Sequence, residues 1–131
     1  MYLLDTNIIL EIILNPENHL IAEDILNRSD LELFISDFSL YLIGIFLIRQ
    51  KKFSALSDIL DDIKICGISI IRLTTDDLKR VSQTCYQMNL DFDDGYQYTI
   101  AEKHHLNLIS FDHHFDKTPL GRVKPQDLRS S

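Results

Sequence analysis

Three aspartates stand together at Asp91, Asp93 and Asp94, and two more follow at Asp112 and Asp116, with an amphipathic run and the apolar stretch "NLIS" between the groups. A further aspartate, Asp5, closes the opening "YLLD". Carboxylates gathered in one place repel one another unless some are protonated or a hard cation lies between them. Oxygen-only donors completed by water are the set that Mg²⁺ or Mn²⁺ prefers. A cation so held orients and activates water and stabilises charge on a phosphodiester in an in-line displacement. The competing reading is local, because Asp is favoured at helix N-termini by capping and by the helix dipole. Asp91, Asp93 and Asp94 can serve that purpose alone.

The elements that must position these acids alternate along the chain. "YLLD" reads as a buried strand and "TNIILEIILN" as a helix ending before Pro16. Pro16 opens a second helix, with Leu20, Ile21, Ile25 and Leu26 as its apolar stripe. "LELFIS" is a second strand, and Ser36 or Asp37 caps the apolar helix that follows. In "SALSDILDDIKIC" the residues Leu56, Ile59, Leu60 and Ile63 repeat at helical period. "ISIIRL" is a third strand, "TTDDLKRVSQTCYQMN" a helix with threonine caps, and "NLIS" a fourth strand. Strands separated by helix-length patterns imply crossover units and a mainly parallel sheet covered on both faces, an α/β fold built as a three-layer α/β/α sandwich. Ligand sites in such sheets lie at the carboxyl ends of the strands. Asp5, Asp112 and Asp93 or Asp94 all fall where one such edge gathers them.

Composition narrows the class. A chain of 131 residues with 45% hydrophobic content suits one domain, residues 1–131, with a substantial core. A net charge of −7 excludes a protein that grips nucleic acid by bulk electrostatics, so any polyanion must meet a cation that inverts the local sign. Cys66 and Cys85 have no metal or redox spacing and read as free thiols. The N-terminus lacks the basic region of a signal peptide, and the apolar run Phe38 to Ile48 is shorter than the roughly 20 residues that span a bilayer. The expectation is a cytoplasmic chain with no membrane partner, in which that apolar helix is buried.

"YLLDTNIIL", then "DDGYQYTIAEKHHLNLISFD", together with the chain length, resemble a PIN domain, above all the single-domain VapC-type toxins of prokaryotic toxin–antitoxin pairs. That pattern has a strand ending in Asp-Thr/Ser-Asn, an Asp followed by a small residue with Ala seven positions on, a hydrophobic strand, and Thr/Ser-x-Asp/Asn. Here Asp94 precedes Gly95, Ala101 lies seven residues on, and Asp112 lies eighteen residues after Asp94. The resemblance covers essentially the whole chain. It implies an Mg²⁺- or Mn²⁺-dependent endoribonuclease, often dimeric and paired with an antitoxin. Asp5, Asp94 and Asp112 would be its catalytic and metal-site acids, Asp116 an outer ligand, and Thr6, Asn7 and Ser110 substrate-side residues shaping the site. The sequence departs from the pattern once: the glutamate usual in the helix after the second strand is absent, and Leu42 stands near its place. That departure sets an alternative, a PIN-fold binding or assembly module with weakened chemistry.

Other signals carry less. "DHH" at Asp112 to His114 matches a motif of much longer phosphoesterases whose further acidic motifs are missing. The histidine pairs at 104–105 and 113–114 lack the i, i+4 spacing of zinc ligands and read as solvated, although His113 or His114 could touch a substrate phosphate. "RQKK", beginning at Arg49, is the densest positive cluster and the leading candidate for contact with an RNA backbone. The Phe38 to Ile48 helix could also share a homodimer interface or an antitoxin groove.

Overall fold

A computed structural model describes residues 1–128, so the last three residues of the expected domain lie outside the described ones. The order is β1 (Tyr2–Leu4), α1 (Thr6–Leu14), α2 (Pro16–Leu26), β2 (Leu33–Ser36), α3 (Asp37–Arg49), α4 (Phe53–Ile65), β3 (Ser69–Ile71), α5 (Thr75–Met88), α6 (Phe92–His104) and β4 (Asn107–Ile109). Two 3-10 turns follow, His113–Lys117 and Pro125–Leu128. The four strands form one sheet in the order β3-β2-β1-β4, and every pairing is parallel. Helices flank the sheet, as the alternation of elements predicted.

The register explains the layers. Leu3 pairs with Phe34 and with Leu108, and these three join the apolar cluster that contains Val81, Tyr98, Ile100 and Phe115. One residue on, Leu4 pairs with Ile35 and Ile109, and these join Ile8, Ile25, Ile43 and Ile63. Alternate side chains of a strand point to opposite faces, so one face packs on α5 and α6 and the other on α1 to α4. Leu3, Leu4, Ile35 and Ile109 are wholly buried, each such side chain contributing about 1.5–3 kcal/mol.

Local chemistry sets the helix starts at the strand ends. Asp5 caps α1 and Ser36 caps α3, each with a side-chain oxygen accepting a backbone N–H. Thr74 and Asp77 form a reciprocal capping box on α5. Asn89 and His105 end α5 and α6 in the left-handed conformation, which turns the chain sharply toward the next element.

Three expectations of burial are corrected. Leu20 is 72% exposed, and α2 buries Ala22 and Ile25 instead. Leu60 is 43% exposed, leaving Ile63 as the buried anchor of α4. The α3 helix buries Ser39, Ile43 and Leu47 but exposes Tyr41, Ile45 and Ile48, so the apolar run is not core throughout. Cys66 and Cys85 are both free, and no helix of the described residues is long and apolar enough to cross a membrane.

Candidate functional site

The carboxyl ends of β1 and β4, the start of α6 and one face of α3 enclose a cleft of about 540 Å³. Its acidic wall carries Asp5, Asp93, Asp94 and Asp112. Its opposite wall is apolar, formed by Leu10 from α1 and Leu42, Ile45 and Phe46 from α3, with Arg49 and Gln50 at its end.

Asp5 leaves β1 and caps α1 in one step. Its Oδ1 accepts the Thr6 N–H at 2.8 Å, and its Oδ2 accepts the Ser110 hydroxyl at 2.7 Å. Ser110, directly after β4, is the junction of this corner: its oxygen also accepts the Asn7 Nδ2 at 3.1 Å and the Asp112 N–H at 2.9 Å. Asn7 in turn accepts the Phe111 N–H. Two loops far apart in sequence are thereby tied into one rigid edge. Ser110 is completely buried, so it fixes Asp5 rather than offering a free hydroxyl to a substrate. Asp112 caps the following 3-10 turn, accepting the His114 N–H at 2.9 Å, and the His114 Nδ1 lies 3.0 Å from its other oxygen.

Asp94 sits half-buried in the first turn of α6. Gly95 beside it is required by space, because a Cβ there would lie 2.2 Å from the Cys85 sulfur. Its absence lets α6 settle against α5 and sets the depth of Asp94. Beneath the cleft a buried polar cluster joins three helix starts: Thr6 and Ser36 both donate to the Ser39 hydroxyl, at 2.8 and 3.1 Å, and Gln97 donates to it from α6.

The electrostatics are those of uncompensated acids. Burial pushes the Asp5 carboxyl up to about 6, against the lowering effect of the Ser110 and Thr6 hydrogen bonds, with Asp112 and Asp93 adding repulsion. Burial likewise raises Asp94 to about 7, and Asp93, Asp5 and Asp112 push the same way, while His114 pulls it down. Such a donor set fits a hard divalent cation, which removes the repulsion that otherwise keeps protons on these groups. Asp94, Asp112 and His114 offer ligand atoms that all lie within 4.8 Å of one another, and so do Asp91, Asp93 and Asp94.

Of the residues singled out from sequence, Asp5, Thr6, Asn7, Asp94, Asp112 and Arg49 line the cleft, and Leu42 lies in its wall. Asp116 does not line it: Arg122 takes its carboxylate through Nε at 3.0 Å and Nη2 at 3.2 Å. Sequence reasoning gives no role to the Ser39–Gln97 cluster and reads His114 as a solvated histidine able to touch a substrate phosphate. The offset of two from Asp112 was the signal for His114. Nothing local marked Gln97, which is buried against Ser39 of α3.

Comparison with known proteins places this geometry. The family model described as the PIN domain matches residues 2–120, and the chain belongs to that family. A toxin–antitoxin complex from Klebsiella pneumoniae superposes with a TM-score of 0.74 at 19% identity, over 95% of this chain and 98% of that one. FitAcB from Neisseria gonorrhoeae gives 0.74 at 20% identity, over 98% and 100%. VapC20 from Mycobacterium tuberculosis, a toxin that cleaves the sarcin–ricin loop, gives 0.74 at 16% identity, over 94% and 97%. At these identities the likeness is one of fold. No curated protein sequence matches the chain.

Proposed function

We propose that this chain is a divalent-cation-dependent endoribonuclease of the toxin type, restrained by a protein antitoxin and working as a homodimer. The observation that carries the reading is the convergence of Asp5, Asp94 and Asp112 on one cleft with two of the three carboxyls held at about 6 and about 7. Asp5, Asp94 and Asp112 hold Mg²⁺ or Mn²⁺, with Asp93 within reach of the same space. When bound, the cation supplies an activated water and charge neutralisation at a phosphodiester. Ser110 and Asn7 keep Asp5 in place, Thr6 braces the start of α1, and Arg49 contacts an RNA phosphate at the far end of the cleft. The toxin–antitoxin relatives in fold support a protein partner.

The test is cleavage of labelled RNA with Mg²⁺ or Mn²⁺ against chelator. Cleavage is expected only with metal, and Asp94→Asn lowers it by about 100-fold or more. Metal-independent cleavage, or full activity in Asp94→Asn, overturns the reading. Leu42 in the cleft wall favours a second one, a PIN-fold binding module with weakened chemistry. Intact RNA at every metal concentration, together with weak cation binding, would establish it.

A further inference from the structure

We infer that His114 is a ligand of the cleft cation, replacing the oxygen donor that Leu42 fails to supply and turning the site from one suited to Mg²⁺ into one that prefers Mn²⁺. The inference rests on the cation site of the proposed function. Four observations carry it. The 3-10 turn begins at Asp112, and the hydrogen bond from the His114 N–H to the Asp112 Oδ1 fixes the backbone of His114 directly above that carboxylate. The ring then lies with Nδ1 2.9 Å from one Asp112 oxygen and 3.0 Å from the other. Without a cation this contact is a hydrogen bond between ring and carboxylate. Adjacent ligands on an octahedral ion with bonds of about 2.1 Å also stand about 3 Å apart, so a cation can take the place of the shared proton, which leaves to solvent. Asp94 closes the set, with its ligand atom within 4.8 Å of those of Asp112 and His114.

The fourth observation is the second face that this arrangement creates. Asp94 lines the main cleft and also a smaller polar cavity of about 220 Å³, where it faces His114. The side of Asp94 away from Leu42 is thus where the imidazole stands. The apolar wall of Leu42, Ile45 and Phe46 has no donor to offer, whereas the imidazole adds a nitrogen donor to the carboxylates on the other side of Asp94. His113, one residue earlier, is exposed as His114 is, but it is not part of this donor set.

The chemistry of the donor decides the ion. Mg²⁺ takes oxygen ligands and keeps its waters, whereas Mn²⁺, although the weakest binder of the divalent first-row metals and itself at home among carboxylates, tolerates a nitrogen donor in its shell better than Mg²⁺ does. A site of two or three carboxylates and one imidazole therefore gains more for Mn²⁺ than for Mg²⁺.

The experiment is a Mn²⁺ titration of the full chain by calorimetry, with electron spin echo measurement of nitrogen coupling on the bound ion, repeated for His114→Gln, His113→Gln and Asp94→Asn. The wild type is expected to show the strong coupling of a directly bonded imidazole nitrogen. His114→Gln should abolish it and weaken Mn²⁺ at least tenfold while changing Mg²⁺ affinity less than threefold, and His113→Gln should match the wild type. If Mn²⁺ binds, and Asp94→Asn weakens it, but the wild type shows no directly bonded nitrogen, the inference about His114 is overturned and the carboxylate site stands. If Mn²⁺ does not bind, or Asp94→Asn leaves it unchanged, the cation site itself is wrong and His114 falls with it. The wild-type spectrum decides the matter even if His114→Gln folds poorly.

Discussion

Asp5 and Asp94 make the metal-free protein sensitive to pH in the direction opposite to that of ordinary paired acids. Their folded values, about 6 and about 7, lie above the 3.8 of a free aspartate. Between those limits the native state binds more protons than the unfolded chain, so stability is fullest below about 4 and is lost as pH rises through 6 and 7. In chelator the melting temperature should therefore fall between pH 5 and pH 7.5. Asp94→Asn should flatten that fall, and saturating Mn²⁺ should reverse it. A melting temperature that rises across this window would show that the acids are compensated by something else. Leu42→Glu tests the other wall of the cleft. A carboxylate there joins four others, so the metal-free variant should lose about 1–3 kcal/mol. A cation at about 100 times its Kd returns about 2.7 kcal/mol to any native state that binds it, and the metal-induced rise in melting temperature should exceed that of the wild type. An equal loss with and without metal would place Leu42 away from the ligand set. The gathering of Asp5, Asp94 and Asp112 at one cleft was readable from sequence because each stands near a strand end or helix start. His114 offered only its offset of two from Asp112, because its place depends on a five-residue 3-10 turn that no periodicity announces.

At the level of elements, sequence patterns gave the order of helices and strands and the parallel sheet, since short apolar runs and helical periods differ in length as well as in spacing. They gave the buried face of individual helices less well. Leu60 fits the α4 stripe but sits at its outer margin, whereas Leu20 lies roughly 160° round the α2 helix from buried Ala22 and faces away from the core. A period reports the direction of an apolar face and not its width. Gly95 shows what contact adds to pattern. The sequence marks it only as a small residue after Asp94, whereas the fold leaves no room for a methyl group against Cys85. Gly95→Ala should destabilise the protein by about 1–3 kcal/mol through overpacking. Cys85→Ala removes the colliding sulfur, so the double variant should recover most of the loss, a coupling that additive effects would not produce. Thermal or urea unfolding of the four proteins measures it, and strict additivity would show that the α5–α6 contact relaxes freely. Because Asp94 rides on the same turn, Gly95→Ala should also weaken the cation more than its stability loss alone accounts for.

Across the whole molecule, the expected burial of the α3 helix fails in a way that has a consequence for assembly. Tyr41, Ile45 and Ile48 on α3 and Leu60 on α4 are all between 43% and 59% exposed, and they border an open groove of about 680 Å³. Contiguous apolar surface of this kind marks an interaction site. Ile45 and Arg49 line both this groove and the acidic cleft, so whatever occupies the groove reaches the rim of the cleft as well. A homodimer formed through this face would bring together two chains of net charge −7. Apolar burial must then overcome a repulsion that salt screens, with a Debye length of about 30 Å at 0.01 M ionic strength and about 8 Å at 0.15 M. Dimerisation should therefore tighten as salt rises, the reverse of an interface held by ion pairs. Light scattering coupled to size exclusion should report a dimer at 0.15–0.3 M salt and a growing monomer fraction at low salt. Tyr41→Glu and Ile48→Glu, which lie in the groove but outside the cleft lining, should give monomers at all salt concentrations with melting temperatures close to the wild type, since both side chains are about half exposed and neither is part of the buried core. A chain that remains monomeric in the wild type at high salt would leave this face to a different partner, and a dimer unchanged by both substitutions would place the interface elsewhere.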